Sequence, residues 1–157
     1  MNLFFDTSAL VKIFHDEDGS QVIRDLLLDD NNVFWILDIA RIEYYSALFR
    51  RLRNKEIKKK NLEIAICGFE KELSNFFQEP TNTLIIDEAQ SLLLKYGENI
   101  GLRTLDSLHL AAFSLIFEDK WVFVCCDSIL TEVAEQEVYL VFNPIRKEDR
   151  FNRSHQP

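Results

Sequence analysis

The chain has 157 residues, 47% of them hydrophobic and 28% charged, with a formal net charge of −8. That length and composition fit one soluble domain with a substantial core. No apolar run approaches the roughly 18 to 20 residues that a membrane span needs. So acidic a chain also excludes indiscriminate nucleic-acid binding by its whole surface.

The start, Met1-Asn2-Leu3-Phe4-Phe5-Asp6, has no basic n-region or cleavage site, so no secretory signal is visible. Three cysteines, two of them adjacent at Cys125 and Cys126, suit a reducing compartment and offer no zinc-binding spacing. The expected location is cytoplasmic.

In chain order, short apolar runs alternate with amphipathic stretches, the pattern of an α/β domain with a mostly parallel central sheet. Strands are expected at Asn2–Phe5, Val33–Leu37, Thr83–Ile86, Trp121–Cys125 and Val138–Phe142. The first and fourth are apolar almost throughout, as strands covered on both faces should be. Seven helices are expected, at Thr7–His15, Gly19–Leu28, Ile39–Asn54, Lys58–Phe77, Glu88–Asn99, Leu105–Phe117 and Ser128–Glu135. Turn chemistry separates them at Asp18-Gly19, Asp29-Asp30-Asn31-Asn32, Glu79-Pro80-Thr81-Asn82 and from Gly97 to Gly101. The domain is expected to run over residues 1–144, with 145–157 a polar tail that frays.

Four carboxylates stand beside apolar sequence where a charge is expensive: Asp6, Glu43, Asp106 and Asp127. The layout puts Asp6 and Asp127 at the carboxyl ends of strands, the edge where open α/β sheets bind ligands. Asp106 falls in the first turn of a helix. Glu43 lies about one turn inside another, with Ile39 and Ile42 taken to mark that helix's inward face. Helix capping is the competing explanation for Asp6, Asp106 and Asp127. It does not serve Glu43, whose neighbours at three and four residues are Ile39, Ala40, Ser46 and Ala47, none charged. If the four meet, they make an oxygen-rich pocket for a hard divalent cation.

Other acids read as structural. Asp87 with Gln90 has the form of a capping box, and Asp38 directly precedes a helix. Asp16-Glu17-Asp18 reads as a solvated turn, and His109 as a satisfied core histidine. The segment Arg50-Arg51-Leu52-Arg53-Asn54-Lys55-Glu56-Ile57-Lys58-Lys59-Lys60 is densely basic in an otherwise acidic chain. It reads either as a solvated helix connection or as an edge that holds a phosphate backbone.

Four of these pieces together resemble the PIN-domain ribonucleases, and most closely their VapC-like toxins of type II toxin–antitoxin systems. Phe5-Asp6-Thr7-Ser8-Ala9-Leu10 resembles the first acidic motif and Arg41-Ile42-Glu43 the second. Leu102-Arg103-Thr104-Leu105-Asp106-Ser107-Leu108-His109-Leu110-Ala111 resembles the third, and Asp127-Ser128-Ile129-Leu130 the fourth. The likeness covers residues 2–144 and departs from the family at Cys125, where Thr is usual.

The resemblance implies a three-layer α/β/α fold and an Mg²⁺- or Mn²⁺-dependent endoribonuclease that leaves 5′-phosphate and 3′-hydroxyl ends. It makes Asp6, Glu43, Asp106 and Asp127 the catalytic residues and the ligands of one or two metal ions. Ser8 is a candidate to add its hydroxyl to the metal shell, and Arg50, Arg51, Arg53, Lys58, Lys59 and Lys60 are candidates to position RNA phosphates. It further implies an antitoxin partner with a basic inhibitory segment, and a homodimer. The rival reading is a catalytically weak PIN-fold protein or RNA interaction module, since a thiol at Cys125 is a poorer hydrogen-bond partner than a hydroxyl.

Overall fold

The computed structural model describes residues 1–146, so the tail expected to fray lies, from residue 147 on, outside the described residues. Five parallel strands form one sheet in the order β3-β2-β1-β4-β5. The central strand β1 (Asn2–Phe5) lies between β2 (Val33–Leu37) and β4 (Val122–Val124), with β3 (Phe76–Glu79) and β5 (Val141–Phe142) at the edges. Phe4 stands opposite Trp35 on one side and Phe123 on the other.

Side chains alternate across a pleated strand, and that alternation divides the core in two. Leu3, Phe5, Phe34, Ile36, Phe76 and Val124 face one layer, built from α1 (Thr7–Leu10), α2 (Ser20–Leu27), α3 (Ala40–Arg53) and α4 (Lys59–Leu73). Phe4, Leu37, Phe123 and Cys125 face the other, built from α5 (Thr83–Tyr96), α6 (Thr104–Ile116) and α7 (Ser128–Gln136). The result is the expected three-layer α/β/α domain, with seven α-helices among the described residues. No helix among the described residues is long and apolar enough to cross a membrane.

Two expected elements are corrected. Thr83–Ile86 is not a strand but the first turn of α5. Asn82 caps it by accepting from the Ile85 amide at 3.2 Å, and Ile85, Ala89, Leu92 and Tyr96 then bury one face at helical spacing. Packing along that face outweighs the β-branched character that suggested a strand. Asp87 accordingly sits inside the helix and caps nothing. The missing strand is Phe76–Glu79, whose first two residues are expected from sequence to end the preceding helix. Its Phe76 ring packs edge-on against Phe5 at 5.8 Å, and Phe77 stacks on Trp35 at 4.7 Å.

Smaller differences have local causes. The first helix stops at Leu10 and continues as a 3₁₀ turn over Val11–Ile13. The last strand shortens to two residues because Val138, at φ 63°, turns the chain while Tyr139 N–H donates back to Ala134. The buried face of α3 is Ala40, Tyr44 and Leu48, whereas Ile42 is exposed.

Replacing Asn82 with Ala removes the α5 cap and should cost about 1 kcal/mol in a urea melt. A strand at this position would show no such loss.

Candidate active site

β1 and β4 deliver Asp6 and Asp127 to the same carboxyl edge of the sheet, and each does cap a helix. One Asp6 oxygen, Oδ2, accepts from Ser8 N at 2.9 Å, and Asp127 Oδ1 accepts from Leu130 N at 3.0 Å. Capping uses one oxygen of each carboxylate; Asp127 Oδ2 takes part in another contact described below. Helix α3 contributes Glu43 and the first turn of α6 contributes Asp106. All four acids line one cavity of about 790 Å³, together with Thr7, Ser8, Ile42, Ser46, Ala47, Arg50 and Arg103 among others.

Glu43 is held by residues from two other elements. Its Oε2 accepts from Thr7 Oγ1 at 2.5 Å and lies 2.5 Å from His109 Nε2. Burial pushes the Glu43 carboxyl up, but the His109 and Thr7 contacts outweigh it and leave the pKa below its ordinary value. Burial likewise pushes the His109 imidazole down, and is outweighed by the Glu43 bond and the charges of Asp6, Glu43 and Asp106, which raise it. The two directions describe one charge-assisted pair. His109 Nδ1 has no hydrogen-bond partner within the described residues, so the ring acts through Nε2. The core histidine expected from sequence is buried but belongs to the site.

Arg103 is the second counter-charge. Its Nε lies 2.8 Å from Asp106 Oδ2 and its terminal nitrogen 2.7 Å from Asp127 Oδ2. Burial raises the Asp106 carboxyl, the Asp6 charge raises it further, and Arg103 opposes both; the net shift is upward. That balance is the electrostatic signature of acids crowded together.

The remaining expectations resolve individually. Ser8 Oγ accepts from Cys126 N at 2.9 Å, tying the loop after β4 to α1. Cys125 is fully buried and burial pushes its thiol well up, so it stays neutral. Its sulfur lies 3.8 Å from Asp6 Oδ2 and 3.6 Å from the Asp127 carbonyl. The Asp127 carboxylate itself is set by Leu130 N and Arg103, not by the thiol. Of the six basic candidates only Arg50 lines the cavity. Arg51 instead pairs with Glu17 at 3.6 Å, and Glu17 also meets buried Lys12 at 3.8 Å. Asp16 pairs with Arg24 in a solvated turn, as expected. Asp38, expected to cap the helix it precedes, does not: the N-cap of α3 is Ile39 without a side-chain bond, and Asp38 instead accepts from Thr81 Oγ1.

Thr7, His109 and Arg103 are residues that sequence reasoning did not assign to the site. For Arg103 the signal was present: a cation just before a helix lies within reach of an acid in that helix's first turn. Nothing local links His109 to Glu43, 66 residues away.

The donor set is chemically suited to a hard divalent cation, since the four carboxylates and the Thr7 and Ser8 hydroxyls line the cavity together. Among the described residues, however, no group of three His, Cys, Asp or Glu side chains is already gathered tightly enough to hold one. His109 and Arg103 supply positive charge there instead.

A parallel α/β/α domain with an acid-lined cavity at the sheet's carboxyl edge, reached by acids from four separate segments, defines a recognisable class. The PIN domain family model matches residues 3–136, and the chain belongs to the PIN domain family. No curated protein matches its sequence. The fold is similar to FitAcB from Neisseria gonorrhoeae, with TM-score 0.66 and 14% identity over 90% of this chain and 97% of that one. It is also similar to a toxin–antitoxin complex from Klebsiella pneumoniae (TM-score 0.59, 15% identity, 90% of this chain and 97% of that). VapBC2 from Rickettsia felis, bound to a DNA fragment from its promoter, is similar at TM-score 0.61 and 17% identity, over 91% of this chain and 98% of that.

Proposed function

We propose that this PIN-domain protein is a metal-dependent endoribonuclease, the toxin component of a toxin–antitoxin pair, acting in the cytoplasm. The observation that carries the reading is the meeting of Asp6, Glu43, Asp106 and Asp127 in one cavity. Four unrelated structural acids have no reason to share a wall.

In this reading the four acids are the catalytic groups and would hold one or two Mg²⁺ or Mn²⁺ ions, with Ser8 able to add its hydroxyl. A bound ion supplies Lewis acidity toward the phosphodiester and a water of lowered pKa for in-line displacement. The chain's own residues prepare that chemistry. His109 and Thr7 keep Glu43 ionised and fixed in the cavity, while Ser8 N and Leu130 N orient Asp6 and Asp127. Arg50 on the wall is placed to receive a substrate phosphate. Arg53, Lys58, Lys59 and Lys60, between the end of α3 and the start of α4, are secondary candidates for phosphate contact, and Arg51 would have to leave Glu17 to join them.

An antitoxin with a basic segment suits an acid-lined cavity in a protein of net charge −8. The toxin–antitoxin complex among the similar folds supports that partner. The homodimer rests on the family resemblance.

The test is a mixed RNA pool incubated with purified protein in Mg²⁺, Mn²⁺ or chelator. Cuts that need metal and leave 5′-phosphates support the nuclease. No cutting under any condition, with RNA still bound, favours an interaction module with weak or no catalysis.

Arg50 gives a separate prediction. In an Asp6→Asn background, Arg50→Gln should reduce the slope of log affinity against log salt for single-stranded RNA by about 0.7. Lys59→Gln, off the cavity wall, should change it less. Filter binding across a salt series measures both.

A further inference from the structure

Arg103 is placed by its surroundings rather than left to wander. Gly101 adopts φ +85°, Leu102 turns into the core at 5% exposure, and Arg103 follows in extended backbone as the residue before α6. Its guanidinium therefore emerges at the cavity rim. There it bridges Asp106 in the first turn of α6 and Asp127 at the start of α7. The side chain is 63% exposed, so no packing holds it; the two carboxylates do. A planar fork with several donors can span two acids in a way a point charge cannot.

We propose that Arg103 is the site's resident counter-cation, occupying the Asp106–Asp127 side of the cavity in competition with a divalent ion. This rests on the metal reading above. The acids of the Asp6–Glu43 side have a different counter-charge in His109, which is buried and cannot leave. The cavity is thus asymmetric. A cation can approach Asp6 with the His109–Glu43 pair intact, whereas filling the Asp106–Asp127 side requires Arg103 to swing out toward solvent. Once released, the same guanidinium stands at the rim where a phosphate oxygen of the substrate arrives. Arg103 would then be a positioning residue that sets how many ions the site holds before substrate binds.

The experiment compares wild type, Arg103→Gln and Arg103→Lys by calorimetric titration with Mn²⁺ alone, without RNA, and by thermal melting with and without Mn²⁺. Gln removes the competing charge, so Mn²⁺ binding should tighten by up to about fivefold, the scale of losing one partly exposed ion pair. Lys should fall between the two. Without metal, Arg103→Gln should melt lower than wild type because Asp106 and Asp127 lose their counter-charge, and Mn²⁺ should restore more of its stability. Equal affinity in wild type and Arg103→Gln overturns the competition while leaving the metal reading intact. Weaker binding by Arg103→Gln also overturns it, making Arg103 a support of the ligands. Failure of every variant, wild type included, to bind Mn²⁺ removes the metal reading and this inference together.

Discussion

Asp6→Asn should lower RNA cleavage by about a thousandfold, the rate equivalent of the several kcal/mol a catalytic cation's ligand contributes, with the fold unchanged. The amide keeps the shape, and its oxygen can still accept from Ser8 N, the contact that caps α1. What it loses is the charge at the centre of the acid group. Asp6 lies at the end of the central strand and within 4.0 Å of His109 Nε2, and its charge contributes to raising the Asp106 carboxyl. Far-UV circular dichroism and a melt should match wild type, and single-turnover cleavage should not. A variant that cuts RNA at the wild-type rate would strip Asp6 of its catalytic role.

His109→Ala should destabilise the domain by about 3 kcal/mol, because removing one partner of a buried pair strands the other. The imidazole is 1% exposed and Glu43 is 16% exposed, so Glu43 would be left with Thr7 alone. Combining His109→Ala with Glu43→Ala separates this from simple loss of packing. The double variant should be appreciably more stable than the sum of the singles predicts, since the stranded charge is gone. Strict additivity in urea denaturation would mean that the two side chains do not interact across the cavity.

The legible part of this protein was its alternation and its misplaced charges. Strands such as Asn2–Phe5 are apolar on both faces because helices cover both sides, so they stand out in the sequence. Asp6, Glu43, Asp106 and Asp127 stand out for the opposite reason, each a charge beside a core element. With no charged residue three or four positions away, Glu43 depends on a counter-charge from elsewhere in the fold. That its protein partner is His109 was not readable, because the pair joins α3 to α6 through the tertiary fold.

The errors fall where local preference and packing disagree. Thr83-Leu84-Ile85-Ile86 has strand composition, yet a capping asparagine and a buried stripe from Ile85 to Tyr96 make it helix. Phe76 and Phe77 continue an amphipathic helix on paper, and Phe76–Glu79 becomes an edge strand because Phe76 packs against Phe5 and Phe34. Ile42 reads as core and instead lines the cavity, half a turn away from buried Tyr44. An apolar residue at the mouth of a site has the same sequence signature as one in the core.

The most direct test of the claim that the acids act as one unit is a cleavage cycle with Asp6→Asn, Asp127→Asn and the double variant. Groups that share one catalytic task lose most of their effect together, so the double variant should cleave no more slowly than the worse single variant. Losses that multiply, each acid contributing on its own, would contradict a single site formed by the two strand ends.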